Sequence, residues 1–399
     1  MPTPQLIQER RLIEQNEISS DDCKRALDAL HAVEVVPVSN SILDYLTTSD
    51  RVLYFLEEEI RKIQGILGKS LFKIQVVVGG FGAGKTHVKT YLSKWLNSLG
   101  DDVINVSFRI PGEYKEFNFF EEILSFSKEN TQQYSRVYSL VNKRLHENEK
   151  NKVNENIFEL VGDILTEGLV TNRKLNKYLI SRGVPSELSE AISFDKSNEQ
   201  NKKNDNAESI KDCLIGLAKQ DGLLAFNSAI EVLNEANFKG LCIFVDDFQN
   251  LEKRSWIEHS DAFATQLAQF HEALAKLFDC QLGISVYLMI LVQGRFWEGG
   301  SEENPGFKHL ASSEKLMQHW ESSVFELGEF SNDEEILSLT RKVLALYEIA
   351  GINLSNEIVE KLEDSQEVRN VLEQQPLVPR KIIQTILNIV DKSINTPWS

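Results

Sequence analysis

The residues best suited to chemistry stand at positions 79–87, Gly-Gly-Phe-Gly-Ala-Gly-Lys-Thr-His. Gly79 to Thr86 satisfies the spacing G-x-x-x-x-G-K-[ST] in full, and each residue type has a physical reason to be there. Gly79, Gly80, Gly82 and Gly84, with Phe81 and Ala83 between them, let the backbone take left-handed angles and turn several N–H groups inward around phosphate oxygens. The helix expected to begin at Lys85, with His87 in its first turn, adds the positive end of its dipole. Lys85 would neutralise the β- and γ-phosphates of a nucleoside triphosphate, and the Thr86 hydroxyl would ligate Mg²⁺. The competing reading is a glycine-rich turn that holds nothing. ATP and Mg²⁺ are the ligands this spacing predicts.

Two further positions suit the same chemistry. Gly240 to Leu251 reads GLCIFVDDFQNL, an apolar run that ends in Asp246 and Asp247. A buried parallel strand would deliver these carboxylates to its C-terminal edge beside the phosphate loop. Asp246 would then hold Mg²⁺ through water, and Asp247 would orient or deprotonate an attacking water. Taken alone, an apolar run followed by two aspartates is only a strand end. Gln293 closes another apolar run, Ile284 to Gly294, where its amide could sense a γ-phosphate or simply leave the sheet. Arg295 follows it, facing the same site or the surface. Arg380 and Lys381 open the helix RKIIQTILNIVDKSI, where the helix dipole disfavours cations unless an anion comes close.

These residues need a scaffold, and the hydrophobic pattern supplies one. Ile74 and Val76 to Val78 precede the loop as a strand, and Val88, Tyr91, Leu92, Trp95 and Leu96 follow at helical spacing. Leu99-Gly100-Asp101 stops that helix, and Val103 to Phe108 forms a second strand. The apolar run that ends in Asp246 and Asp247, with strands at 284–294 and 324–330, completes five. The expected architecture is α/β: a P-loop NTPase with a parallel five-stranded sheet, a helical insertion and a C-terminal helical lid. Residues 71–112 and 238–330 form the core, 1–70 a helical N-terminal segment, 113–237 the insertion, and 331–399 the lid. Val35 to Val38 offers apolar contacts to a base. Within the insertion, residues 193–209 are polar, low in complexity and expected to be a mobile loop.

The 399 residues carry a formal net charge of −17, with 42% hydrophobic residues. So acidic a chain is not expected to coat nucleic acid through its overall field, since phosphate neutralisation needs clustered Lys and Arg. One local cluster exists, Arg173, Lys174, Lys177 and Arg182, readable as a helix-turn-helix or as a solvated helix face. The four cysteines show no paired spacing for zinc or a disulfide framework. No apolar run reaches membrane-spanning length, and the N-terminal MPTPQLIQERRLIEQ has no apolar signal region. A cytoplasmic protein without membrane association is expected.

The combination resembles the AAA+ ATPases of the origin-recognition and STAND-like branch. More narrowly, GGFGAGKTHVKTYL, AFNSAIEVLNEANFKGLCIFVDDFQNL, ELGEFSNDEEILSLTRKVLALY and LVPRKIIQTIL look like the ATP-binding protein family of BREX (bacteriophage exclusion) defence systems. The resemblance implies a lid arginine at Arg380 that senses nucleotide. It also implies partner proteins of the same defence system, such as a nuclease, helicase or other effector, and leaves both an oligomer and a monomer open. Two departures stand out. Such families carry Asp-Glu where this chain has Asp246-Asp247, so the water-activating group is one methylene shorter. They also carry an arginine before the last strand, where this chain has HWESSVFEL with Glu321; Arg295, Lys308 or Lys315 would have to substitute. The expected function is an ATP-driven switch with slow hydrolysis. Alternatives are a DNA-associated loader or transposition-regulator ATPase, and a scaffold that holds ATP without turning it over.

Overall fold

The structure is a computed structural model, and it describes residues 18–32, 50–114, 117–126, 137–141, 143–144, 214–252, 259, 265–270, 284–293, 322–330, 333–364, 370 and 377–394. Several expectations lie outside these residues: the loop at 193–209, the cluster from Arg173 to Arg182, Val35 to Val38, Arg295, Lys308 and Lys315.

Five strands form one sheet: β1 (Phe72–Gly79), β2 (Val103–Arg109), β3 (Gly240–Asp246), β4 (Ser285–Val292) and β5 (Val324–Leu327). Their order across the sheet is β2-β3-β4-β1-β5, and every pairing is parallel. The protein is therefore α/β with an all-parallel sheet, as its near-continuous apolar runs predicted. The last strand is shorter than the 324–330 expected from sequence. After Leu327 the chain leaves the sheet, and the Phe330 N–H donates instead to the Leu377 carbonyl at 2.8 Å.

Alternation along the strands divides the core. Val76, Val78, Val106, Ile243, Val245, Leu288 and Ile290 face one side. There they meet α4 (Phe119–Leu124), α5 (Gly222–Glu235) and the helical residues 214–220, which all come from the connection between β2 and β3. Val77, Cys242, Phe244, Tyr287, Met289 and Leu291 face the other side, against α2 (Asp50–Ile66) and α3 (Lys85–Ser98). A sheet covered on both faces buries its central strands, so β3 and β4 are buried along their whole length and apolar between their ends, whereas β1 and β2 also bury Gln75, Asn105 and Ser107 and the edge strand β5 is only partly covered.

A second core lies apart from the sheet. It joins α1 (Ser20–His31) to three C-terminal helices, α6 (Asp333–Ile349), α7 (Asn356–Leu362) and α8 (Pro379–Ile394). A capping box starts α1, with the Ser19 hydroxyl accepting from the Asp22 N–H and the Asp22 carboxylate accepting from the Ser19 N–H. Its buried Cys23, Ala26, Leu27 and Ala29 then pack among Leu339, Val343, Leu346 and Ile386. α6 opens with Asp333, Glu334 and Glu335, which suit the positive end of its dipole, and is stopped at Gly351, whose φ is +86°. The Ile352 N–H returns to the Tyr347 carbonyl at 3.0 Å, closing the helix end. Among the described residues, no helix is long and apolar enough to cross a membrane.

Candidate functional site

The C-terminal edge of a parallel sheet is where successive strands release loops on the same side, and the chemistry-bearing residues gather there. β1 ends at Gly79, where an added Cβ would stand 2.9 Å from the Leu327 Cβ on β5. Gly82 and Gly84 take φ of +82° and +99°, the left-handed angles that only glycine adopts freely. Gly84 is also the N-cap of α3. Other helices here begin on a capping side chain, Ser19 for α1, Asn118 for α4, Asp221 for α5 and Ser355 for α7. Gly84 has no side chain to offer, so no cap hydrogen bond covers the start of α3. Its first-turn N–H groups and dipole can therefore act on an external anion.

Lys85 bends back over the loop, its Nζ donating to the Gly79 carbonyl at 2.5 Å and the Gly80 carbonyl at 3.0 Å. Burial lowers the pKa of this ammonium, while the charges of Asp246 and Asp247 act in the opposite sense. The Thr86 hydroxyl reaches Asp246 Oδ2 at 3.4 Å. Asp246, the last residue of β3, is 2% exposed, and its Oδ1 accepts the Asp247 N–H at 2.9 Å. β4 lies between β3 and β1, so these carboxylates reach the loop across one intervening strand.

Asp247 itself takes a φ of +54°, a strained angle for a residue with a Cβ. Its Oδ1 accepts from Gln249 Nε2 at 3.1 Å, and Gln249 Oε1 in turn accepts the Gln293 backbone N–H at 3.2 Å. Gln249 thus ties the turn after β3 to the end of β4. Gln293 is exposed at that end. Asn250, almost buried, fastens the same turn to the exit of β2 by donating to the Ile110 carbonyl at 2.7 Å.

The start of α8 rests directly on the loop. The Arg380 N–H approaches the Gly82 carbonyl at 3.4 Å, and its guanidinium carbon lies 4.5 Å from the centroid of the Phe81 ring, itself 67% exposed. An alanine at position 82 would bring its Cβ within 2.8 Å of the Arg380 Cβ. His87 has a different neighbourhood. It is partly buried near Lys94 of α3 and Lys342 of α6; burial first, and then those two charges, pull its pKa down to about 4.

The structure brings Gly79 to Thr86, Asp246, Asp247, Gln293 and Arg380 to one edge of the sheet, and sets the His87 side chain instead beside Lys94 and Lys342. Sequence reasoning missed two members of the site. Gln249 gave no signal beyond its place after the two aspartates. Lys89 did give one: helical spacing sets it one turn after Lys85 on the buried stripe with Leu92 and Leu96, where a cation requires a partner. That partner is Asp246, with Lys89 Nζ 2.9 Å from Oδ2 and side-chain exposures of 4% and 3%.

The donor set suits a triphosphate and its cation unequally. The open helix start, the left-handed glycines and Lys85 offer an anion several donors. For Mg²⁺ the oxygens of Thr86 and Asp246 are present, as a cation that keeps most of its waters needs. Among the described residues, no cluster of three or more His, Cys, Asp or Glu could hold a metal by protein ligands alone. No protein-family model matches the chain, and a search of curated proteins found no match.

Proposed function

We propose that this chain is a P-loop NTPase of AAA+ type that binds ATP at the Gly79–His87 loop and hydrolyses it slowly as a conformational switch. The observation that carries the reading is the meeting, at one sheet edge, of the uncapped glycine loop with Lys85, the Asp246 carboxylate one strand away, and the start of α8. A turn that merely connected a strand to a helix would need none of the last three.

The roles follow from the contacts. Lys85 leaves the Gly79 and Gly80 carbonyls for the β- and γ-phosphates, exchanging neutral acceptors for charged ones. Thr86 and Asp246 are the residues that would hold Mg²⁺, which supplies positive charge to the terminal phosphates when bound. Asp247, steadied by Gln249, accepts the proton of the attacking water or orients it. Gln293 stands at the end of β4, where its amide can report on the γ-phosphate. Arg380 exchanges the Phe81 ring for the same group and so couples nucleotide state to the C-terminal helices.

The resemblance to the BREX ATP-binding family supports placing this switch in a multi-protein anti-phage system, with effector proteins as partners and self-association as part of its cycle. The net charge of −17 weighs against DNA as the main partner. Titration with a fluorescent ATP analogue tests the core of the proposal. Lys85→Ala should weaken binding by about 100-fold or more, since the loop loses a charge-assisted contact to two phosphates. Unchanged affinity removes Lys85 from the site. Binding without turnover in the unmutated protein would favour the scaffold reading, and stimulation of turnover by DNA the loader reading.

A further inference from the structure

Both ends of the Gln249 amide are in use. Its Nε2 donates to Asp247 Oδ1 at 3.1 Å while its Oε1 accepts the Gln293 backbone N–H at 3.2 Å, so a backbone donor fixes which end of the amide is which. The side chain cannot turn over without losing both bonds. The short turn that carries it, Phe248–Glu252, is fastened elsewhere: Phe248 is fully buried, Asn250 donates to the Ile110 carbonyl at 2.7 Å, and the Asn250 N–H returns to the Asp247 carbonyl at 2.9 Å. Gln249 is not needed to hold that turn.

Asp247 holds a φ of +54°, an angle that glycine meets at lower cost, so the turn by itself gives no reason for a carboxylate here. Its two oxygens differ. Oδ1 accepts from Gln249, whereas Oδ2 has no hydrogen-bond partner among the described residues. The carboxylate is near enough to the glycine loop for its charge to act on Lys85, whose pKa burial lowers and Asp246 and Asp247 raise. One oxygen is held by the protein and the other is left for a ligand.

We propose that Gln249 is a positioning residue for hydrolysis, which occupies Oδ1 of Asp247 so that Oδ2 meets the attacking water, and which ties that aim to the end of β4. In the step it serves, the water oxygen bonds the γ-phosphorus as its proton passes to Oδ2, and the bond from phosphorus to the β–γ bridging oxygen breaks to leave ADP and phosphate. Gln249 touches none of the reacting atoms. The proposal rests on the nucleotide reading above and deepens it by naming what orients its base.

The test measures ATP affinity by titration and hydrolysis by single turnover at saturating ATP, in the unmutated chain, Gln249→Met, Asp247→Ala and the double variant. Methionine keeps the length of glutamine and loses both bonds. Gln249→Met should bind ATP within about twofold of the unmutated chain and hydrolyse it about tenfold or more slowly, as a positioned base that loses its alignment does. In the Asp247→Ala background the same substitution should cost less than about twofold, because a residue that acts through another has nothing left to position. Gln249→Glu keeps the length and the acceptor but loses the donor, and at pH 8 it should be at least as slow as Gln249→Met, since two carboxylates would face each other. Equal slowing by Gln249→Met with and without Asp247 overturns the proposal, because a turn that merely loses a fastening slows the reaction in both backgrounds. An unmutated rate in Gln249→Met overturns it as well, and so does a loss of ATP affinity that matches the loss of rate. If the unmutated chain binds no ATP, or binds it without turnover, the hydrolysis reading itself falls and takes this proposal with it. A chain that hydrolyses ATP and is indifferent to Gln249→Met defeats the role of Gln249 alone.

Discussion

Asp247 shows how much a single side chain can decide. It is an aspartate where the resembled families place a glutamate, it stands at a φ of +54°, and its carboxylate is tied to Gln249. A positioned base contributes about 10²- to 10⁴-fold to a proton-transfer step, provided that it lies within hydrogen-bonding reach of the water. Aspartate reaches one methylene less far than glutamate. Asp247→Ala is therefore expected to retain ATP while losing about 10²-fold or more in single-turnover hydrolysis, and Asp247→Glu to equal or exceed the unmutated rate. Hydrolysis by Asp247→Ala at the unmutated rate would assign the water to another residue or to a partner. Asp246 differs although it is the next residue, because burial and Lys89 give it a structural task as well.

At the scale of elements, the decisive contact joins α8 to the phosphate loop. Pro379 opens this helix with a fixed φ, and Arg380 follows at once, so its cation sits where the helix dipole is least favourable to it. The Phe81 ring compensates by accepting the guanidinium at 4.5 Å, and the absence of a Cβ on Gly82 lets the two segments touch. A γ-phosphate at the loop would offer Arg380 a stronger partner than an aromatic face. Arg380→Ala should accordingly weaken ATP binding by about tenfold or more relative to ADP, since ADP lacks the group at stake. Equal losses for ATP and ADP in parallel titrations would make Arg380 a packing residue of the helix start.

Across the whole molecule, the two cores meet electrostatically at His87, whose low pKa reflects burial together with Lys94 of the loop helix and Lys342 of α6. The sign follows from linkage. A histidine at about 4 in the folded chain and near 6.5 when unfolded binds more protons unfolded. Its contribution to stability is thus complete above pH 6.5 and is lost as the pH falls toward 4. Acidification also relieves the repulsion among 60 acidic residues, so the comparison must be with a variant rather than with neutral pH alone. The melting temperature of His87→Gln should fall less than that of the unmutated chain between pH 6.5 and 4.5. Parallel curves would show that His87 titrates alike in both states.

What the sequence by itself determined is local. The glycine loop, the strand before it and the helix after it follow from side-chain type and period within about 20 residues, and so do the apolar run ending at Asp246 and the Gly351 stop of α6. Backbone angles and helical or extended periodicity are set by near neighbours, which is why these features could be read directly. Only the tertiary structure decided that β4 lies between β1 and β3, since any of five similarly apolar strands satisfies the same pattern. It also decided that Lys89 meets Asp246, 157 residues away, because a buried lysine announces a need for a partner without naming it. The joining of α1 to the C-terminal helices belongs with these, as an amphipathic face specifies burial but not the surface that provides it.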